Sequence, residues 1–341
     1  MKKILFSVLA MAAFAACSNE EQIAAPQGEA IAFGNAFVDN SVRADAATDP
    51  SYSTNGKGVA LEKFNVYGAV NGVNIFNGNN VTKTAGYGEA WSCDGPKQYW
   101  IAGADYKFVG VVDGNKTVGE TVVTKTNLDE AGLPSTIDYT VDGKTDLLCD
   151  VKTVNDATAP YSVVAFTYTH LLSKVKFSVK NTTGADATNY RFKLTSAKIT
   201  GAYASGVYNV VANAEQNVEA DSWTLGSTTR DYVLENLTIN SNSQQYHSQE
   251  VLLLPGTVGV YVKADIEASD DNGATWKKVS DVEKTFLTAA TLAKGSAYHF
   301  IVELGVGQEI KFTATEMIDW ANGNTKDSDD DDTVNDYVPV N

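Results

Sequence analysis

The sequence is poor in the residues that enzymes and metal sites use most. Its 341 residues include only three His and three Cys. It contains no Gly-x-Ser-x-Gly motif, no glycine-rich phosphate loop and no pair of metal ligands at a recognisable spacing. We therefore expect no metal, no cofactor and no catalytic activity, and a structural role for the histidines that sit within strand or turn patterns. The three histidines are His170, His247 and His299.

Basic residues are scarce relative to acidic ones. The chain has 26 Lys and Arg against 42 Asp and Glu, a net charge of −16. Without residues 1–16, which hold Lys2 and Lys3, the net charge becomes −18. A surface of this sign repels phosphate backbones and anionic lipid headgroups. We therefore expect no nucleic-acid partner, and we interpret the acidity as a means of keeping an exported protein soluble.

Long apolar runs are also missing. The longest run, residues 4–14, is about 11 residues, whereas a membrane-spanning helix needs roughly 20. It follows Lys2 and Lys3 and precedes two alanines and Cys17, an order that predicts a signal peptide over residues 1–16. The sequence Phe-Ala-Ala-Cys resembles a bacterial lipoprotein signal. We therefore expect lipidation (palmitate) of Cys17 and a stable membrane anchor, because two or more acyl chains hold where one is marginal.

No window of the sequence keeps a helical apolar period over three turns. Instead, 27 Gly, 16 Tyr and 13 Phe favour β structure and turns. The clearest alternation puts Val175, Phe177 and Val179 on one face and Lys174 and Lys176 on the other. Many short strands with regular turn signals predict an all-β protein built from β-sandwiches.

A break at residues 157–160 predicts two domains in tandem. We assign the N-terminal β-sandwich to residues 44–158 and the C-terminal one to residues 159–320. Residues 17–43 come before them as a separate segment, and residues 321–341 follow as an extension.

The first strand-like stretch lies between the signal and a flexible loop. Ile31, Phe33 and Phe37 fall at the even spacing of a half-buried strand. The following residues, 41–58, are small and polar, as in loops where proteases cut. Arg43 is the most exposed-looking basic residue there, and Lys57 is a second candidate target. The arrangement predicts a strand that proteolysis could remove.

The chain ends with an acidic stretch and a short apolar one. Residues 321–332 include Asp327 and four consecutive aspartates, which we interpret as a solvated linker rather than a calcium site. Pro339 lacks an N–H and cannot donate a hydrogen bond to a neighbouring strand. A strand here would therefore end near residue 338, or place Pro339 at the rim of the groove that receives it. An unstructured tail is the alternative. Three valines share a face opposite Tyr337, namely Val334, Val338 and Val340.

Two further features leave alternatives open. Cys93 and Cys149 could form one disulfide in an oxidising compartment, or remain as two buried thiols. The tryptophans could bind glycans, as in a surface glycan-binding lipoprotein, although in an all-β protein we favour core packing. The four in question are Trp91, Trp100, Trp223 and Trp276.

Six segments follow one another in an order that is typical of a known family, namely residues 97–100, 106–108, 166–179, 252–256, 292–300 and 318–320. Together they resemble the fimbrillin family, the lipoprotein-derived subunits of type V pili. The resemblance covers about residues 31–320 and implies two transthyretin-like β-sandwich domains.

The resemblance also implies a life cycle. Such precursors are lipidated, carried to the outer membrane and cut after the first strand by an arginine- or trypsin-type protease, here between Arg43 and Ala44. A strand from a neighbouring subunit then fills the opened groove, and in stalk subunits the donor is a C-terminal extension, matched by residues 333–341. We therefore expect a stalk subunit of an adhesive, extracellular pilus whose partners are other copies and other pilus subunits. An outer-membrane glycan-binding lipoprotein is the alternative.

Overall fold

The chain is all-β in the part that the structure describes. The computed structural model describes residues 28–38, 61, 63–83, 91–183, 189–210, 223–234, 238–239, 244–246, 250–271 and 273–317. These ranges form 23 strands and no α-helix, which confirms the predicted fold class. Accordingly, no helix within them is long and apolar enough to cross a membrane.

The strands follow the short alternating segments of the sequence. In chain order they are β1 (Phe33–Val38), β2 (Lys63–Val70), β3 (Val73–Lys83), β4 (Trp91–Cys93), β5 (Tyr106–Val112), β6 (Thr117–Val118), β7 (Thr121–Val122), β8 (Thr124–Leu128), β9 (Pro134–Thr140), β10 (Leu148–Val154), β11 (Val164–His170), β12 (Ser173–Asn181), β13 (Tyr190–Tyr203), β14 (Ser205–Asn209), β15 (Trp223–Leu225), β16 (Thr229–Leu234), β17 (Thr238–Ile239), β18 (Gln244–Tyr246), β19 (Val251–Leu253), β20 (Gly256–Ala268), β21 (Lys277–Leu292), β22 (Ala297–Leu304) and β23 (Lys311–Met317).

The first sheet has seven strands in the order β1-β11-β10-β5-β2-β3-β4. Only the β1–β11 pair is parallel. The two end strands approach each other, since a Cβ on Gly34 of β1 would lie 3.8 Å from Cδ1 of Trp91 on β4. That Cβ would also lie 2.9 Å from Cγ1 of Val163, so this position has room only for glycine unless Val163 moves. The sheet therefore curls around its own aromatic core.

The remaining strands form three larger sheets and one hairpin. One sheet has the order β18-β12-β22-β23 with β19 also on β12, and another has β16-β13-β20-β21 with β17 on β13. A four-stranded sheet, β15-β14-β9-β8, combines strands from both halves of the chain, and β6 pairs with β7. A single large core lies between these sheets, with Phe177 and Phe300 among its buried side chains.

The predicted domain boundary at residues 158–159 lies before β11, which nevertheless belongs to the first sheet. The sheet that joins β8 and β9 to β14 and β15 also spans this boundary. Strand pairing therefore connects the two predicted domains, and their division into two folding units stays a prediction.

β12 shows how alternation and burial can differ. Val175, Phe177 and Val179 are buried in the core, as their face predicts. The opposite face is buried as well: Lys174 is 1% exposed and Lys176 is 8% exposed. Next to them on β22, His299 is 2% exposed and its Nε2 lies 2.5 Å from the Ser178 hydroxyl.

His299 has a structural position, as the sequence indicates. Burial, aided by the nearby charge of Lys176, lowers its pKa from 6.5 to about 4. The folded chain therefore keeps this imidazole neutral at a pH at which the unfolded chain protonates it. Stability due to this group is complete above pH 6.5 and is lost as the pH falls towards 4.

We predict that the free energy of unfolding decreases by up to about 3 kcal/mol, from this residue alone, between pH 6.5 and pH 4. His299→Gln can still hydrogen-bond Ser178 but cannot be protonated, so it should have a shallower slope of stability against pH. Urea unfolding at several pH values in this window measures both slopes. Equal slopes for the two proteins would contradict the assignment.

Candidate functional site

The segment that leads into β1 is held by backbone hydrogen bonds on two sides. The Ile31 amide donates to the Gln98 carbonyl at 2.9 Å, and the Trp100 amide donates to the Glu29 carbonyl at 2.9 Å. On the other side, the amide of Val164 donates to the carbonyl of Ala32 at 2.9 Å. The start of this segment therefore lies between two other parts of the chain and is hydrogen-bonded to both.

β1 itself is an end strand of the first sheet, where it pairs with β11. It runs parallel to β11, with Phe33 opposite Val164 and Phe37 opposite Thr167. The register is irregular between Gly34 and Phe37. Among the described strands β1 pairs with β11, so removal of β1 would leave one edge of β11 without its hydrogen-bond partners.

The ring of Phe33 lies at the centre of the aromatic core of this sheet. Its side chain is 5% exposed, and Ile31 nearby is also buried. Three neighbouring rings meet it edge-on and one is stacked, which are the favourable geometries for aromatic pairs. The centroid distances are 6.4 Å to Phe64 on β2, 5.2 Å to Phe76 on β3, 6.1 Å to Phe108 on β5 and 6.5 Å to Phe166 on β11.

The sequence predicts the strand but not the residues that surround it. The four phenylalanines come from four strands that lie between residues 63 and 170, and only the folded sheet brings them together around Phe33. A partial signal is present, because Phe108 and Phe166 belong to segments that carry the family resemblance. The same partial signal covers Gln98, whereas nothing in the sequence distinguishes Phe76 as a contact of β1.

A second aromatic group extends the core beyond Phe33. Trp100 is buried, stacks on Tyr161 with centroids 5.3 Å apart and meets Tyr106 edge-on at 4.7 Å. The other tryptophans also have internal contacts. Trp91 contacts Phe64, Trp223 donates to the Leu171 carbonyl at 2.7 Å, and Arg191 lies over the ring of Trp276. These contacts favour core packing over a glycan-binding role.

Both described cysteines are free thiols. Cys93 is half-buried on β4 and Cys149 is buried on β10, with three strands of the first sheet between them. The structure therefore has two thiols rather than a disulfide. Burial raises the pKa of Cys93 to about 11 and also raises the pKa of Cys149, so both stay protonated at neutral pH.

Several predicted site residues lie outside the residues that the structure describes, and the structure places none of them. The same ranges contain no cluster of metal ligands. The predicted residues outside them are Cys17, Arg43, Ala44, Lys57, Val334, Tyr337, Val338 and Val340.

We predict that Phe33→Ala lowers the free energy of unfolding by about 3–5 kcal/mol, because it leaves a cavity among four rings. Phe33→Leu should cost less, because leucine fills part of that cavity. Ala32→Ser, at an exposed neighbouring position, is the matched control and should change stability little. Urea unfolding of the uncut chain measures all three. Equal midpoints for Phe33→Ala and Ala32→Ser would show that the ring is not central to the core.

Solved structures similar to this chain come from fimbrial and adhesion proteins. A fimbrial protein from Bacteroides vulgatus is 13% identical, with a TM-score of 0.56 over 86% of this chain and 100% of that one. A candidate cell adhesion protein from Bacteroides uniformis is 17% identical, with a TM-score of 0.46 over 85% and 98% of the two chains. A fimbrial assembly protein from Parabacteroides distasonis is 13% identical, with a TM-score of 0.37 over 78% and 91%. The first of these likenesses shows a shared fold.

Comparison with curated proteins found no match. The family comparison is more informative, because the fimbrillin-like model matches residues 48–320, which is most of the chain. This match includes the four rings around Phe33 and all six segments that carry the resemblance. The chain therefore belongs to the fimbrillin-like family, a family of structural proteins of cell-surface fimbriae and not of enzymes.

Proposed function

We propose that the chain is the precursor of a stalk subunit of a type V pilus, and that it polymerises by exchanging β1 for a strand of a neighbouring subunit. The observation that carries this proposal is the position of Phe33. Its ring fills the centre of an aromatic core, yet it belongs to an end strand next to a predicted cleavage loop. A strand with that combination is both important for the folded precursor and removable.

Removal of β1 would create a groove that is unstable in water. The groove would expose the inner faces of Phe64, Phe76, Phe108 and Phe166, together with the free edge of β11. Loss of Ile31 and Phe33 alone would remove roughly 3–6 kcal/mol of apolar burial. Unpaired backbone groups on β11 add to this cost. Such a groove has a strong tendency to accept another strand.

The C-terminal extension of a second copy is the proposed occupant. Residues 333–341 would restore the ladder hydrogen bonds and place Val334, Val338 and Val340 in the groove, as in donor-strand complementation. Three buried valines would contribute about 5–9 kcal/mol before ordering costs. Pro339 limits the ladder at one point. Donation from one end of a subunit to the other end of the next does not close, so it produces a fibre.

The segments before β1 would control when this happens. Lipidation of Cys17 would anchor the precursor at the outer membrane, and cleavage between Arg43 and Ala44 by an arginine- or trypsin-type protease would release the body from residues 17–43. The same cut disconnects β1 from the rest of the chain. One proteolytic event would thus free the subunit and open its groove. Adhesion is the proposed biological output.

We predict that limited trypsin digestion of the chain without residues 1–17 cuts after Arg43 and produces ladders that resist SDS at room temperature but not boiling. Polymers should form because the cut lets β1 leave and the tail of another copy enter. Gel electrophoresis and mass spectrometry of the products measure both events.

Three variants make this experiment specific. Arg43→Gln should prevent the ladders if Arg43 is the required site, whereas Lys57→Gln should leave them intact. Deletion of residues 333–341 should still allow the cut but leave monomers. Cut chains that lose β1, keep their tail and nevertheless stay monomeric would argue against strand exchange.

A further inference from the structure

β11 is attached to the first sheet in different ways along its length. Near its end it pairs with β10, where the described ladder consists of the pairs Leu148–His170 and Cys149–Thr169. β10 itself continues beyond this ladder and pairs with β5 over its whole length. Residues 164–168 of β11 pair with β1 instead. The part of β11 beside β1 is therefore separate from the backbone ladder that joins β10 and β11.

A side chain bridges the gap between β10 and this part of β11. The backbone amide of Thr167 donates to Oδ2 of Asp150 at 2.7 Å, whereas in a regular ladder the acceptor would be a backbone carbonyl. Oδ1 of the same carboxylate accepts from the Val151 amide at 2.8 Å, and the Nζ of Lys152 lies 3.0 Å from Oδ2. Both carboxylate oxygens are therefore used, which fixes the group in the orientation that the Thr167 amide requires.

The bridge lies next to the aromatic core. Asp150 is 4% exposed, and burial raises the pKa of its carboxyl group, although Lys152 opposes this shift. Asp150 is opposite Gly110 on β5, and a Cβ on Gly110 would collide with the hydroxyl oxygen of Tyr168 on β11. The Tyr168 side chain therefore reaches across β10 at the level of Asp150. The hydrogen bond from Thr167 is largely shielded from water here, and such a bond to a carboxylate is strong.

The two attachments of this half of β11 differ in kind. On one side the attachment is β1, which the proposed function removes. On the other side it is a side-chain hydrogen bond within the sheet, which does not involve β1. Packing of Phe166 against Phe64, with ring centroids 5.4 Å apart, holds the side chains but does not fix the direction of the backbone groups. A strand edge accepts a new partner only if its N–H and C=O groups stay aligned.

We propose that Asp150 is a positioning residue of the groove. Its carboxylate holds residues 164–168 of β11 on the sheet when β1 is absent, and so keeps the accepting edge aligned for an incoming strand. The identity of that strand rests on the proposed function. The anchoring of β11 is a property of the uncut chain, in which end strands open and close locally, and it is measurable there.

Amide hydrogen exchange of the uncut chain tests the anchor through a double-mutant cycle. Phe33→Leu, the milder of the two core variants above, loosens β1, and Asp150→Ala removes the anchor. Each change alone should raise the exchange rates of residues 164–168 about threefold or less, because the other attachment remains. Together they should raise these rates at least about thirtyfold. Thr167 is left out because it loses its own acceptor, and amides of β20 report global unfolding.

Two control variants separate the hydrogen bond from the ion pair. Asp150→Asn keeps an oxygen acceptor for the Thr167 amide, and Lys152→Met removes the ion pair but leaves the carboxylate. Combined with Phe33→Leu, each should give residues 164–168 the same hydrogen-exchange rates as Phe33→Leu alone. An effect of Lys152→Met as large as that of Asp150→Ala would overturn the proposal. A combined effect of Phe33→Leu and Asp150→Ala no larger than the product of the single effects would also overturn it.

The assembly assay connects the anchor with strand acceptance. After limited trypsin digestion, Asp150→Ala should form ladders at least about fivefold more slowly than Asp150→Asn, with the same rate of cleavage after Arg43. Equal ladder rates for these two variants would overturn the role of Asp150 in strand acceptance. Absence of ladders from the unmodified chain would instead count against strand exchange, and the hydrogen-exchange rates of the uncut chain would still decide whether Asp150 anchors β11.

Discussion

The packing of one phenylalanine ring against four others determines how the first sheet is organised. Phe33 belongs to β1, and its ring contacts rings from β2, β3, β5 and β11. A seven-stranded sheet that curls until its end strands meet needs large side chains to fill its interior. Phe33 supplies the ring at the centre, so the sheet is complete only with β1 in place.

The sheet depends on β1, although β1 makes few backbone hydrogen bonds to the rest of the sheet. Interior strands such as β5 and β10 pair on both sides, whereas β1 pairs with β11, and the contact with residues 98–100 is made by the residues before β1. The side chains of β1 therefore contribute more to the stability of the sheet than its backbone hydrogen bonds do. In the proposed strand exchange, another strand with apolar side chains at even spacing would supply both contributions.

In the C-terminal half of the chain, the notable feature is the burial of charged side chains on β12. β12 has a conventional apolar face in the core and a second face on which lysines are also buried. Alternation of Lys and Val in a sequence normally indicates a solvated face, but here Lys174 and Lys176 are buried, and the Nζ of Lys174 lies 2.6 Å from Oε2 of Glu250.

Local patterns in the sequence determine a large part of this protein. The alternation of Val175, Phe177 and Val179 and the absence of helical periods predict an all-β fold, and ordered short segments identify the family. Tertiary structure alone decides which strands become neighbours. The parallel pairing of β1 with β11, the meeting of Phe33 with Phe76, the separation of Cys93 from Cys149 and the burial of Lys174 all depend on it. The reason is physical: side-chain alternation is a property of a few consecutive residues, whereas strand order is set by the packing of the whole core.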